Sequence, residues 1–127
     1  MPTSAHHLHY PKKRATQWTE KPSSIVPIDV QFALWVAMKL EAVPLTQFDD
    51  LLWIMAQESA GVVNARNPRS TERGLYQLLR IQYPLNPKGE KSFGDAIEEC
   101  QGGIRYVMGR YHTAARARAF WTAHHWY

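Results

Sequence analysis

Apolar residues recur at helical spacing through most of the chain beyond residue 29, and that pattern predicts a mostly α fold. Phe32, Trp35, Val36 and Leu40 form one stripe, opened by Asp29 as an N-cap and closed by Pro44. The stripe is expected to face the core. A second helix is expected to open at Thr46, with Asp49 three positions on as a capping-box-like partner. Phe48, Leu51, Leu52 and Met55 supply its apolar face, and it is expected to end at Glu58, with Gly61 as a stop. Glu58 lies seven residues after Leu51, at nearly the same angular position. The face that buries Leu51 and Met55 therefore also carries a carboxylate.

The polar residues between Ser59 and Arg73 show no alternation and include Asn-Pro, so this segment is expected to be mostly loop. A short helix is expected from Gly74 to Gln82, followed by a turn that Pro84 and Pro87 enforce through Asn86 and Gly89. Ser92 to Asp95 reads as the opening of a helix with Ile97, Ile104, Val107 or Met108, and Tyr111 on one face. Gly102 and Gly103 inside it each cost about 1 kcal/mol relative to alanine. They mark either a break or a place where another helix meets bare backbone. His112-Thr113 links to a last helix, from Ala114 to about Ala123. Residues 1–28 differ in character: four of the eight prolines, a Lys12-Lys13-Arg14 run and no helical period predict a flexible basic arm. The expected organisation is an arm over 1–28 and one domain over 29–127, and removal of the arm is expected to spare the core.

Composition narrows the picture in three ways. At 127 residues the chain supports one core and hardly two. No apolar run reaches the length of a membrane span, and the first residues contain no apolar signal region. The single Cys100 excludes an intrachain disulfide. The formal charge of +4 favours polyanions, among them nucleic acid, anionic lipid and the bacterial envelope, without choosing between them. His6, His7 and His9 find no companions that complete a metal site, and no phosphate loop or cysteine pair is present, so no metal or cofactor is expected.

Glu58 carries the candidate chemistry. Apolar neighbours and the negative end of the helix dipole both disfavour its ionised form, which suits a group that holds a proton and donates it. A solvated Glu at a fraying helix end is the plain alternative. Glu58-Ser59, a polar loop with Asn67 and Ser70, then Gly74-Leu75-Tyr76-Gln77 resembles the active-site run of the lytic transglycosylases and goose-type lysozymes. There the pattern is Glu-Ser, Ser, then Gly-Leu-Met-Gln. Gly103-Ile-Arg-Tyr106-Val resembles the Gly-x-x-Tyr-Leu of a late helix in that family, and the ending from Arg110 to Tyr127 is similar to phage-borne transglycosylase-like domains. The resemblance covers residues 48–127.

The resemblance implies a lysozyme-like single domain with Glu58 as sole catalytic acid and base. It implies a substrate cleft formed by Ser59, Asn67, Ser70, Tyr76, Gln77, Tyr106 and Trp121, with Asn67 or Ser70 standing for the family Ser. Tyr106 or Trp121 would orient Glu58, since the family Tyr-Asn is missing. Glycosidases commonly use two carboxylates. The only second candidate near Glu58 is Glu72, read here as a solvated loop charge. The implied substrate is the peptidoglycan glycan strand, and the implied reaction cleaves the β-1,4 bond between N-acetylmuramic acid and N-acetylglucosamine with closure of a 1,6-anhydro ring. A lysozyme-type muramidase is the near alternative. A non-catalytic basic helical module that binds nucleic acid, or a virion component, is the distant one. Without a signal sequence, action on the cell wall implies delivery in a phage particle or release at lysis, with the arm available to virion or envelope components.

Overall fold

A computed structural model of the chain describes residues 18–127. Among them are four α-helices: α1 (Ile28–Leu40), α2 (Phe48–Ser59), α3 (Ala96–Tyr111) and α4 (Ala114–His124). Short 3-10 turns join them, and the described residues contain no strand. The fold is mostly helical, in a single domain, as the periodicity predicts. No helix among the described residues is long and apolar enough to cross a membrane.

The middle of the molecule is α2. Every residue from Leu51 to Glu58 is buried, on all sides of the helix. Such a segment must be wrapped by other elements. α4 and the turn before α1 pack against it, while α1 packs along α3. Two helices begin at side-chain caps: Asp95 accepts from the Glu98 N–H, and Thr113 accepts from the Arg116 N–H. α2 ends where Ala60 and Gly61 both take positive φ, 56° and 78°. A Cβ on Gly61 would lie 2.8 Å from Pro27 Cδ, so the close approach of the incoming chain also requires glycine there.

Five expectations change. Asp29 does not cap α1, which starts at Ile28 after Pro27 without a side-chain cap. In α1 the buried face is Val30, Ala33, Leu34, Ala37 and Met38, while Phe32, Trp35 and Leu40 point outward. This helix is apolar on two sides, and the side with Ala33 and Ala37 permits the closer helix approach. The Thr46 capping box does not form: Leu45–Gln47 make a 3-10 turn and α2 starts at Phe48 without a side-chain cap. Gln47 instead turns its Oε1 to the Ala114 N–H, at the start of α4. No α-helix spans 74–82. Gly74 to Gln77 form a tight turn, closed where Arg73 and Leu78 exchange two backbone hydrogen bonds of 3.0 Å, and a 3-10 turn (Arg80–Leu85) follows.

The last change concerns the arm. Residues 1–17 lie outside the described residues, with the Lys12-Lys13-Arg14 run and the three histidines. Residues 18–27 belong to the folded body: Val26 is in the core and Trp18 packs against it. The boundary expected at residue 28 therefore falls too late in the sequence.

α3 runs unbroken through Gly102 and Gly103. A Cβ at Gly103 would strike the Tyr76 ring, and one at Gly102 would strike the Asn86 side chain. The pair is a packing site, and what packs there is turn, not helix.

Candidate active site

Glu58 lies in the last turn of α2, 8% exposed. Its Oε2 accepts a 2.6 Å hydrogen bond from the indole Nε1 of Trp121, which is fully buried on α4. Trp121 is held in turn by Trp53 of α2, edge-on at 5.6 Å, and by Trp18, at 4.9 Å. Trp53 donates its own indole N–H to Glu20 at 2.9 Å. The N-terminal segment thus backs the tryptophan that holds the carboxylate.

Three tyrosines lie within electrostatic reach of Glu58. Burial lifts the hydroxyls of Tyr127, Tyr106 and Tyr111 far above their usual range, and the charge of Glu58 adds to this. They stay neutral phenols at physiological pH. Tyr127 donates to the Tyr76 carbonyl at 2.8 Å, and Tyr106 meets the Tyr127 ring edge-on.

In front of Glu58 opens a cleft of about 560 Å³. Glu58, Ser59, Asn67 and Gln77 all line it, so four of the residues singled out in the sequence meet at one surface. Each is fixed by its neighbours. Ser59 Oγ donates to the Met55 carbonyl and accepts from the Gly61 N–H, tying down the helix end. Gln77, at φ 51°, donates from Nε2 to the carbonyls of Ala65 and Gly74, which joins the turn to the loop. Asn67 donates from Nδ2 to Glu72 Oε1 at 2.8 Å.

The other expected site residues stand elsewhere. Tyr76 is buried, donating its hydroxyl to the Leu51 carbonyl at 2.8 Å, and does not line the cleft. It fills the core where Gly103 leaves room. Tyr106 is likewise behind the site, and Trp121 touches Glu58 from behind. Ser70 is exposed and outside the cleft, with its Oγ accepting the Glu72 N–H. Of the two candidates for the family Ser, Asn67 is the one at the cleft. Glu72 is not a solvated charge: it is 5% exposed, because the loop folds back over it and Asn67 and Ser70 satisfy its polar groups. It does not line the cleft.

Four contributors went unread in the sequence. Gln57 grips the backbone of Lys21, accepting from its N–H at 2.9 Å and donating to its carbonyl at 2.7 Å. That contact sets Lys21 on the cleft wall, with Arg66 from the loop as a second cation. Glu99 is the fourth. Its buried carboxylate accepts from the N–H groups of Leu75 and Gly94, each at 2.7 Å, and of Asn64. One side chain thereby ties the loop after α2, the Gly74 turn and the entry to α3. Its only sequence signal was position: Glu99, Gly103 and Tyr106 share the buried face of α3 at helical spacing.

Among the described residues no three His, Cys, Asp or Glu side chains gather where they could hold a metal ion. Compared with known proteins, the chain matches no family model, no curated protein and no solved structure.

Proposed function

We propose that the protein is a peptidoglycan lytic transglycosylase that cleaves the β-1,4 bond between N-acetylmuramic acid and N-acetylglucosamine. One observation carries the reading: among the described residues Glu58 is the sole carboxylate lining the cleft, and a buried indole N–H holds it in place. A fixed acid beside an open groove meets the geometric requirement for protonating a glycosidic oxygen. With no second carboxylate on the cleft wall, the developing positive carbon is met by the 2-acetamido group of the muramic residue. Glu58, now a base, takes the proton of that sugar's 6-hydroxyl, which attacks the same carbon and closes the anhydro ring. Asn67 and Gln77 are placed to contact the strand. The substrate implies action at the bacterial cell wall.

The nucleic-acid reading needs aromatic rings interleaved with cations on a surface. The Arg105-Tyr106 and Arg110-Tyr111 pairs are the only such interleaving in the sequence, and the structure uses them otherwise. Both tyrosines are buried, Arg105 pairs with Glu41 at 2.8 Å, and Arg110 lies over the rings of Tyr111, Phe120 and Trp126.

Mass analysis of fragments released from purified sacculi tests the proposal. Products ending in anhydromuramic acid, each lighter by one water than the hydrolytic fragment, are expected. Reducing ends alone would reassign the protein as a muramidase with the same acid. No release by the folded protein would remove the enzymatic reading.

A further inference from the structure

The cleft beside Glu58 carries two cations that the proposed reaction does not use. Lys21 comes from the N-terminal segment, outside the stretch that resembles the transglycosylases, and Arg66 comes from the loop after α2. Both side chains are exposed, and neither takes part in an ion pair among the described residues. Four other cations of the domain are engaged: Arg105 with Glu41, Arg118 with Asp50, Arg73 with Glu90 and Lys88 with Glu98.

Lys21 is also held at its place by several contacts. Its backbone forms the two hydrogen bonds with Gln57, the residue before Glu58. Glu20 beside it accepts from Trp53, and Trp18 packs at a tilt against the tryptophan that holds Glu58. The segment thus seats a cation on the cleft wall by anchoring the chain on both α2 and α4. Among the described residues Glu58 is the only acidic side chain on that wall. A neutral sugar chain has no use for two unpaired cations there, whereas a strand bearing carboxylates is attracted and oriented by them.

We infer that Lys21 and Arg66 make the cleft selective for glycan strands that carry carboxylates beside the scissile bond, either on the peptide stem or on the lactyl group of the muramic residue. The inference rests on the transglycosylase reading of Glu58 and names the substrate form that this site prefers.

Three strand preparations separate the possibilities: strands with intact peptide stems, the same strands with their carboxylates amidated, and strands stripped by an amidase so that only the lactyl carboxylate is free. The full chain is expected to show a kcat/KM roughly fivefold higher on intact than on amidated strands, as two solvent-exposed charge pairs allow. The ratio should shrink as salt rises, and it should fall to about one in the Lys21→Gln/Arg66→Gln double variant. If stripped strands match intact ones, the cations accept a carboxylate at either position; if they match amidated ones, only the stem carboxylates are recognised. Equal kcat/KM of the wild type on all three preparations overturns the inference and leaves the transglycosylase reading intact. Should no preparation be cut, equilibrium binding of the same strands to the full chain decides. Preference for the intact over the amidated strand, lost in the double variant, sustains the inference, and equal binding overturns it.

Discussion

The indole N–H of Trp121 meets Oε2 of Glu58 at 2.6 Å, across 63 residues of chain. This bond joins the end of α2 to α4 and fixes the carboxylate that faces the cleft. Trp121→Phe keeps a buried ring and removes the donor. Loss of a hydrogen bond to a carboxylate costs roughly 2 kcal/mol. A misplaced acid lowers turnover by between roughly 10-fold and 100-fold. The expected pattern on sacculi is a fall in kcat with a modest fall in melting temperature. An unchanged kcat would show that the bond does not position the acid.

Glu58→Gln is expected to keep the fold, since the amide oxygen still accepts from Trp121. It removes the transferable proton, and lysis should fall by roughly 1,000-fold or more. Glu72→Gln is the comparison. Glu72 holds Asn67 from outside the cleft, so the change should raise KM by a few-fold, roughly, and leave kcat within about a factor of three of wild type. A loss as deep as that of Glu58→Gln would bring back a two-carboxylate mechanism.

Glu99 makes a pH-dependent prediction. Burial raises its carboxyl above the ordinary 4.5, and the backbone donors at Gly94, Leu75 and Asn64, with the charge of Arg73, pull it only part of the way back. Folding therefore favours the protonated form. In the window from 4.5 up to the raised folded value, the folded chain holds more proton than the unfolded chain, so the Glu99 contribution to stability declines as pH rises. Glu99→Gln removes this dependence. It also replaces one acceptor oxygen by an NH₂ that faces backbone donors, a cost of about 1–3 kcal/mol. Urea unfolding from pH 4 to pH 7 should show a deficit that is largest at the acid end and shrinks upward. A deficit that grows with pH would mean that folding lowers this carboxyl.

The helices were legible where local signals are strong: an apolar face in α2 and the Asp95 opening of α3. Glu58 was legible as a candidate because it continues the apolar face of its own helix. What could not be read depended on partners distant in sequence. The two apolar sides of α1 look alike until α3 is present to choose the one with the alanines. Glu72 and Glu99 resemble surface acids, and only the folded loops bring backbone donors and Asn67 to them. Trp18, Glu20 and Lys21 carry no periodicity, and their contacts are with Trp121, Trp53 and Gln57 on other elements.

Those contacts reverse the expectation for the N-terminal segment. Deleting residues 1–24 removes the Trp18 face from Trp121, the Glu20 acceptor from Trp53 and the Lys21 backbone from Gln57. Bared indole surface and two lost buried polar partnerships together cost about 3 kcal/mol. That corresponds to a melting temperature lower by roughly 10 °C. Trp18→Ala in the full chain should give about half of this. A truncated chain that melts with the wild type would show that residues 18–24 contribute nothing to the core.

The two glycines of α3 at 103 and 109 should respond in opposite directions to alanine. Both lie within a helix, where alanine is favoured over glycine by about 1 kcal/mol. At Gly109 an added Cβ meets nothing within 4 Å, so Gly109→Ala should realise most of that gain. At Gly103 the Cβ falls onto the Tyr76 ring. The ring has little room to retreat: its hydroxyl is bonded to the Leu51 carbonyl and its own carbonyl to the Tyr127 hydroxyl, both at 2.8 Å. Overpacking a filled core costs about 1–3 kcal/mol, and a broken buried hydrogen bond about 1 kcal/mol more. The penalty exceeds the helix gain. Gly103→Ala should therefore be less stable than wild type by about 2 kcal/mol, and less active as well, because Tyr76 moves the adjoining Gln77 on the cleft wall. Thermal melting of the two variants side by side checks the argument. If Gly103→Ala is stabilised as Gly109→Ala is, Tyr76 does not pack on α3 as described, and the Gly74 turn is held by something else.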